Sequence, residues 1–167
     1  MLKQIVLSAA LLGVSTAALA QSAAAPAAAK PQTQAQAAPA LTPEQQAQLR
    51  EQNTKMEQAA LQVALQVDQG KTGSVWDGAS SVAKQAVQRD AFVKQVDADR
   101  KQAGNLVSRK FATITRSASQ GGATPAGYYV NVSFATQFAN RKQPIRELIS
   151  FHLDTDKVWR VAGYTLR

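Results

Sequence analysis

The stretch YYVNVSFATQF, residues 128–138, decides the fold. Tyr128, Val130, Val132, Phe134 and Phe138 fall on one side of a period-two pattern, and Tyr129, Asn131, Ser133 and Gln137 fall on the other. Alternation of this kind marks a strand with one face turned to a core. Before it, Leu106 to Arg116 is rich in Val, Phe, Thr and Ile and reads as the first strand. The segment Ser117 to Gly127, with two adjacent glycines and Pro125, reads as the connecting loop. After it, Ala139 to Pro144 turns the chain, and Ile145 to Leu153 sets Ile145, Ile149, Phe151 and Leu153 on one face. Asp154 to Lys157 is a hairpin turn, and Val158 to Leu166 is the last strand.

Upstream the period becomes helical. Thr42 is placed to cap, Pro43 suits the first helical position, and Glu44 and Gln45 sit where the helix dipole favours acceptors. Leu49, Met56, Ala60, Val63 and Val67 then share one helical face, with Leu61 and Leu65 as a second stripe. Gly70 stops this helix and Lys71-Thr72-Gly73 turns. Ser74 to Val87 reads as one second helix with Trp76, Ala79, Val82, Ala83 and Ala86 inward. A third helix, with Asp90 as its cap, turns Phe92, Val93 and Val96 inward and stops at Gly104-Asn105. Helices first and hairpin-linked strands afterwards predict an α+β fold. The expected architecture is two to three N-terminal helices packed on a curved four-stranded antiparallel sheet, of the cystatin-like or NTF2-like kind.

The amino-terminal end sets the address. Met1-Leu2-Lys3 is a short positive start, Ile5 to Leu19 is apolar, and Ala18-Leu19-Ala20 has the A-x-A form that signal peptidase cleaves. A signal peptide over residues 1–20 and a periplasmic mature protein are therefore expected. Gln21 rather than Cys follows the break, so no lipid anchor is expected. The run Ile5–Leu19 is also shorter than the roughly 20 apolar residues of a membrane span. Residues 21–41, rich in Ala, Pro and Gln, read as a disordered leader. Residues 42–167 then form one α+β domain.

Charge and composition exclude several classes. There are 19 Lys and Arg against 11 Asp and Glu, a net charge of +8. The cations are scattered, with no run of five, so nucleic acid is not expected as a partner. An anionic envelope component remains compatible with the charge. With no Cys and a single His, the chain has neither thiolate chemistry nor the ligands of a zinc site. No metal and no cofactor is implied.

The ending Trp159-Arg160-Val161-Ala162-Gly163-Tyr164 resembles the bacterial family known as domain of unknown function 4019. The likeness extends to Ser74-Val75-Trp76, to Arg100, Gly104 and Ser108-Arg109, and to the segment Pro125 to Tyr129. It covers Met56 to Arg167. The resemblance implies an exported or envelope protein and supplies no mechanism.

Five residues stand out as speculative ligand-binding groups: Arg100, Arg109, Trp76, Tyr128 and Tyr164. The two Arg sit where the resembling family carries one. A guanidinium beside a sheet clamps a carboxylate or phosphate in bidentate fashion. The plainer reading pairs these Arg with Asp68, Asp77, Asp97 or Glu147 and pins helix to sheet. The aromatics, with Trp159, either line a pocket or fill the core, and core filling is the safer account. Gly163 suggests a close backbone approach or a bend in the last strand.

His152 falls on a strand face with Arg146, Ser150 and Asp154. It reads either as a general base or pH switch, or as an exposed strand histidine, and the second is preferred because no nucleophile elbow is present. Asp154 and Asp156 begin like a calcium loop, but Lys157-Val158-Trp159 does not continue one, so both are assigned to the turn and to water. No catalytic residue is assigned. The leading expectation is a non-catalytic binding or interaction module, meeting an apolar small molecule, an anionic envelope component or a protein partner. The alternatives are a small NTF2-like enzyme using His152 in a sheet pocket and a homodimerising structural subunit paired through the polar strand face.

Overall fold

The structure is a computed structural model that describes residues 41–167. The expected signal peptide (1–20) and nearly all of the leader (21–40) lie outside the described residues.

Helix α1 runs over Pro43–Asp68. A capping box starts it: Thr42 Oγ1 accepts from the Gln45 amide while the Gln45 side chain accepts from the Thr42 amide. Met56, Ala60, Val63, Ala64 and Val67 form its buried face, and Gly70, at φ +71°, ends the run. The expected second helix is two short ones, α2 over Thr72–Asp77 and α3 over Ser81–Ala86. The break has a local cause. Ser80 leaves helical geometry to cap α3 by accepting from the Ala83 amide, and its own N–H bonds Val161 O across to the sheet. Thr72 is not a turn residue either. It is fully buried at the start of α2 and donates to Asp97 Oδ1 at 2.6 Å. Helix α4 spans Arg89–Ala103; Gln88 rather than Asp90 is its N-cap, and Gly104, at φ +86°, ends it.

Four strands follow: β1 Leu106–Ser119, β2 Gly127–Phe138, β3 Ile145–Leu153 and β4 Trp159–Leu166. They form an antiparallel meander in the order β1-β2-β3-β4. The register pairs Val130 with Phe151, Val132 with Ile149 and Phe134 with Glu147. Ile149 then faces Tyr164, and Phe151 faces Val161. The ladder is irregular between Phe111 and Thr113, and again beside Ser150 and Phe151, where Ala162 is the extra residue of β4.

One core joins the layers. Val130 and Val132 are fully buried and Phe134 nearly so, under Met56, Ala60, Val63, Ala64 and Val67 of α1, with Val75 and Val96 beside them. The helices thus cover the apolar sheet face, and the fold is α+β as expected. Helices α3 and α4 pack against β4. At the other side of the sheet β1 is the edge strand among the described residues, with Val107 65% and Phe111 45% exposed.

Candidate functional site

Six elements meet in a buried ionic network around Arg109. Its Nε donates to Glu147 Oε2 at 2.6 Å, Nη1 to Asp68 Oδ2 at 2.8 Å, and Nη2 to both carboxylates at 3.1 and 3.0 Å. Arg100 of α4 donates Nη2 to Asp68 Oδ1 at 2.8 Å and stacks over the Phe138 ring at 4.2 Å. Tyr164 and Thr136 donate to the two oxygens of Glu147 at 2.6 and 2.7 Å. Burial by itself would lower the Arg109 pKa, but the bonds to Asp68 and Glu147 outweigh it and hold the guanidinium above its ordinary value. Burial first, then the charge of Glu147, pushes the Tyr164 phenol well up. Two cations and two carboxylates cancel, and the Arg109 side chain is only 5% exposed. Both Arg therefore pin α1 and α4 to the sheet, through two of the acids proposed from sequence.

The aromatic candidates separate. Tyr164 belongs to the core and to this network. Trp76 is half-buried, donating Nε1 to Val87 O, with Lys84 Nζ 5.4 Å from its ring centroid. Tyr128 is 63% exposed at the start of β2, while its neighbour Tyr129 on the opposite face is buried. The alternation was right, but the helical cover does not extend over the Tyr128 end.

His152 departs from the exposed histidine preferred on sequence grounds. It is buried, tilts against the Tyr129 ring at 5.1 Å and shares a 2.8 Å bond between Nδ1 and Asp154 Oδ1. Its Nε2 is buried with no partner and lies against Gly127, where any Cβ would collide with it. Asp154 is likewise buried and does not face water. It also accepts from the Ser81 amide and from Arg160 Nη1. Burial opposes ionisation of Asp154, yet the bonds from His152, Ser81 and Arg160 win and keep its pKa below the ordinary value. Arg160 also holds Asp156 down to about 2. The cluster ties the start of α3 to the β3–β4 hairpin. It makes no triad, because Ser150 Oγ donates to Asn131 Oδ1 at 2.7 Å.

The far face of the sheet carries the feature that sequence reading missed. A cleft of about 330 Å³ opens between α3 and the loop after β1. Val82, Ala83 and Ala86 form its helical wall, Thr124 and Pro125 its loop wall, and Asn131, Ser150 and Gly163 its floor. Tyr129 steadies the loop wall by donating its hydroxyl to Pro125 O at 2.8 Å. Asn131 Nδ2 has no protein partner among the described residues and so faces the cleft as a donor. Val82 and Ala86 were assigned to the core; Val82 is instead half-buried and Ala86 exposed, both lining this space. Only the small-residue character of α3 and the polar alternate positions of β2 pointed here. Among the described residues no group of three or more His, Asp or Glu is arranged to hold a metal.

An antiparallel sheet covered on one face by helices, with a neutral cleft on the other, is the arrangement of a small α+β domain. Residues 59–164 match the family described as protein of unknown function (DUF4019), and the chain belongs to that family. No curated protein and no solved structure matches it.

Proposed function

We propose that the protein is an exported, periplasmic binding module that holds a small neutral molecule in the cleft between α3 and the β1–β2 loop. One observation carries the reading: in a chain of net charge +8, no charged residue lines this 330 Å³ space. Neutral lining with a free amide donor at Asn131 suits an uncharged ligand bearing a hydrogen-bond acceptor, and it disfavours an anionic polymer there. Export rests on the amino-terminal sequence: the charged start, the apolar run and the Ala18-Leu19-Ala20 site. Catalysis by His152 has no geometric support, since Nε2 is shut against Gly127 and a general base must reach its proton.

Native mass spectrometry of protein released gently from the periplasm tests both parts. The expected polypeptide begins at Gln21 and carries one small adduct, or gains thermal stability from members of a library of neutral metabolites. Ala86→Trp, at an exposed position on the cleft wall, removes the adduct and the stabilisation. Retention of residues 1–20 in the recovered protein overturns the export reading. Absence of any ligand response, or a response unchanged in Ala86→Trp, overturns the binding reading.

A further inference from the structure

A second cavity lies beside the cleft, and the two share a wall. It has a volume of about 170 Å³ and sits between Trp76, Val87 and Phe92 on the helical side and β4 on the other. Its lining is mostly apolar and includes no charged residue. Trp76 Nε1 and the Tyr164 hydroxyl, which would otherwise make it polar, are bound to Val87 O and Glu147. Thr165 Oγ1 is buried without a partner. Ala83, Ala162 and Gly163 line both this cavity and the polar cleft.

Gly163 is the informative residue of that shared wall. Sequence reading gave it a close backbone approach or a bend. The bend is present, since the β3–β4 ladder shifts next to it, but no close approach exists: a Cβ built at Gly163 meets nothing within 4 Å. Its φ is not in the left-handed range either. Neither packing nor backbone conformation requires glycine, and glycine weakens a strand interior. What its missing side chain does is leave space where the two cavities adjoin.

We infer that the cleft and the apolar cavity form one bipartite site for a neutral single-chain amphiphile. Its uncharged polar head lies over Asn131 and Ser150. Its short alkyl tail passes Gly163 beneath Ala83 and ends among Trp76, Val87 and Phe92. The inference deepens the binding reading above and rests on it: the head site is the same cleft, and the tail adds the chemical class.

Alkyl glucosides of increasing chain length, from butyl to octyl and kept below micelle-forming concentration, serve as probes in titration calorimetry with the full mature chain. A tail that enters the apolar cavity tightens binding about fourfold per methylene, the value for burying a CH₂ group. Gly163→Val places a branched side chain in the gap, improves strand propensity and removes the gain in affinity from butyl to octyl glucoside. Gly163→Ala, the milder change, reduces the slope. Thr165→Val, which removes the unpartnered hydroxyl at constant shape, leaves octyl glucoside binding equal or tighter.

A flat chain-length series in the unmodified protein overturns the bipartite site, as does a full slope surviving in Gly163→Val. Weakening by Thr165→Val overturns the apolar character of the tail cavity. If Ala86→Trp still abolishes butyl glucoside binding while the series is flat, the cleft reading stands and the tail site alone falls. If no glucoside binds and Ala86→Trp changes no ligand response, both fall together.

Discussion

Arg109 shows how much one residue can decide. Its guanidinium answers two carboxylates from opposite layers, Asp68 at the end of α1 and Glu147 inside the sheet, and Glu147 is fully buried. Removing one partner of such a pair strands the other charges, so Arg109→Met should cost about 3–5 kcal/mol in urea unfolding. Because the group is shielded from solvent, raising the salt concentration should leave most of that loss in place. Tyr164 reports on the same network through pH. Its folded pKa lies above the unfolded value, so the folded state keeps a proton that the unfolded chain releases. Its stabilisation is full below pH about 10 and is lost as pH rises through the folded value. Tyr164→Phe should remove about 1.5–3 kcal/mol at neutral pH, as expected for a hydrogen bond to a carboxylate. The variant should also show a shallower fall in stability above pH about 10, read from denaturation midpoints across that range. The pairing of Arg100 and Arg109 with nearby acids was legible in the chain, because a buried cation needs a carboxylate and Asp68 and Glu147 were among those available. The burial of His152 and Asp154 was not. It depends on Gly127 and Ser81 arriving from distant segments, and no local pattern encodes that.

Among the elements, the strands were the most legible because their period is two and one face is strongly apolar. The register Val130–Phe151 and Val132–Ile149 follows directly from matching those apolar faces. The helical region was less legible. The residues Ser74 to Val87 have a usable helical period, yet Ser80 finds better partners outside a helix, capping α3 and bonding Val161 O. That choice positions the wall of the cleft, so Ser80 matters beyond its size. Ser80→Ala should cost about 1 kcal/mol, with faster amide exchange confined to α3. Thr42 makes the same kind of cap at an exposed helix start, far from the buried face that begins at Met56. Thr42→Ala should therefore speed exchange over the first turns of α1 and leave the global unfolding midpoint nearly unchanged. Equal effects from the two substitutions would show that α3 is not anchored as the Ser80 bonds require.

At the scale of the whole molecule the question is what keeps the chain from extending its own sheet. The β4 side is partly closed, since Val161 O already accepts from Ser80 and α3 and α4 pack there. Among the described residues no strand pairs with the outer edge of β1 over its 14 residues Leu106–Ser119, and Val107 and Phe111 stand exposed along it. A long unpaired edge with exposed apolar groups is a template for a second copy. Of the polar face expected to pair with a second copy, Tyr129 and Ser133 are buried while Asn131 and Gln137 are half-buried. The hazard lies at the edge instead, and two exposed cations, Lys110 and Arg116, sit within that strand. Each copy approaching edge to edge would bring both cations with it, and like charges on adjacent strands repel. The net charge of +8 acts in the same sense at longer range. The double substitution Lys110→Thr and Arg116→Thr keeps strand propensity while removing this guard. Light scattering over rising concentration should then show the variant associating where the parent protein stays monomeric. High salt should move the parent partway towards the variant, since screening weakens the same repulsion. A parent protein that already associates through β1 at low salt would mean that these cations do not protect the edge.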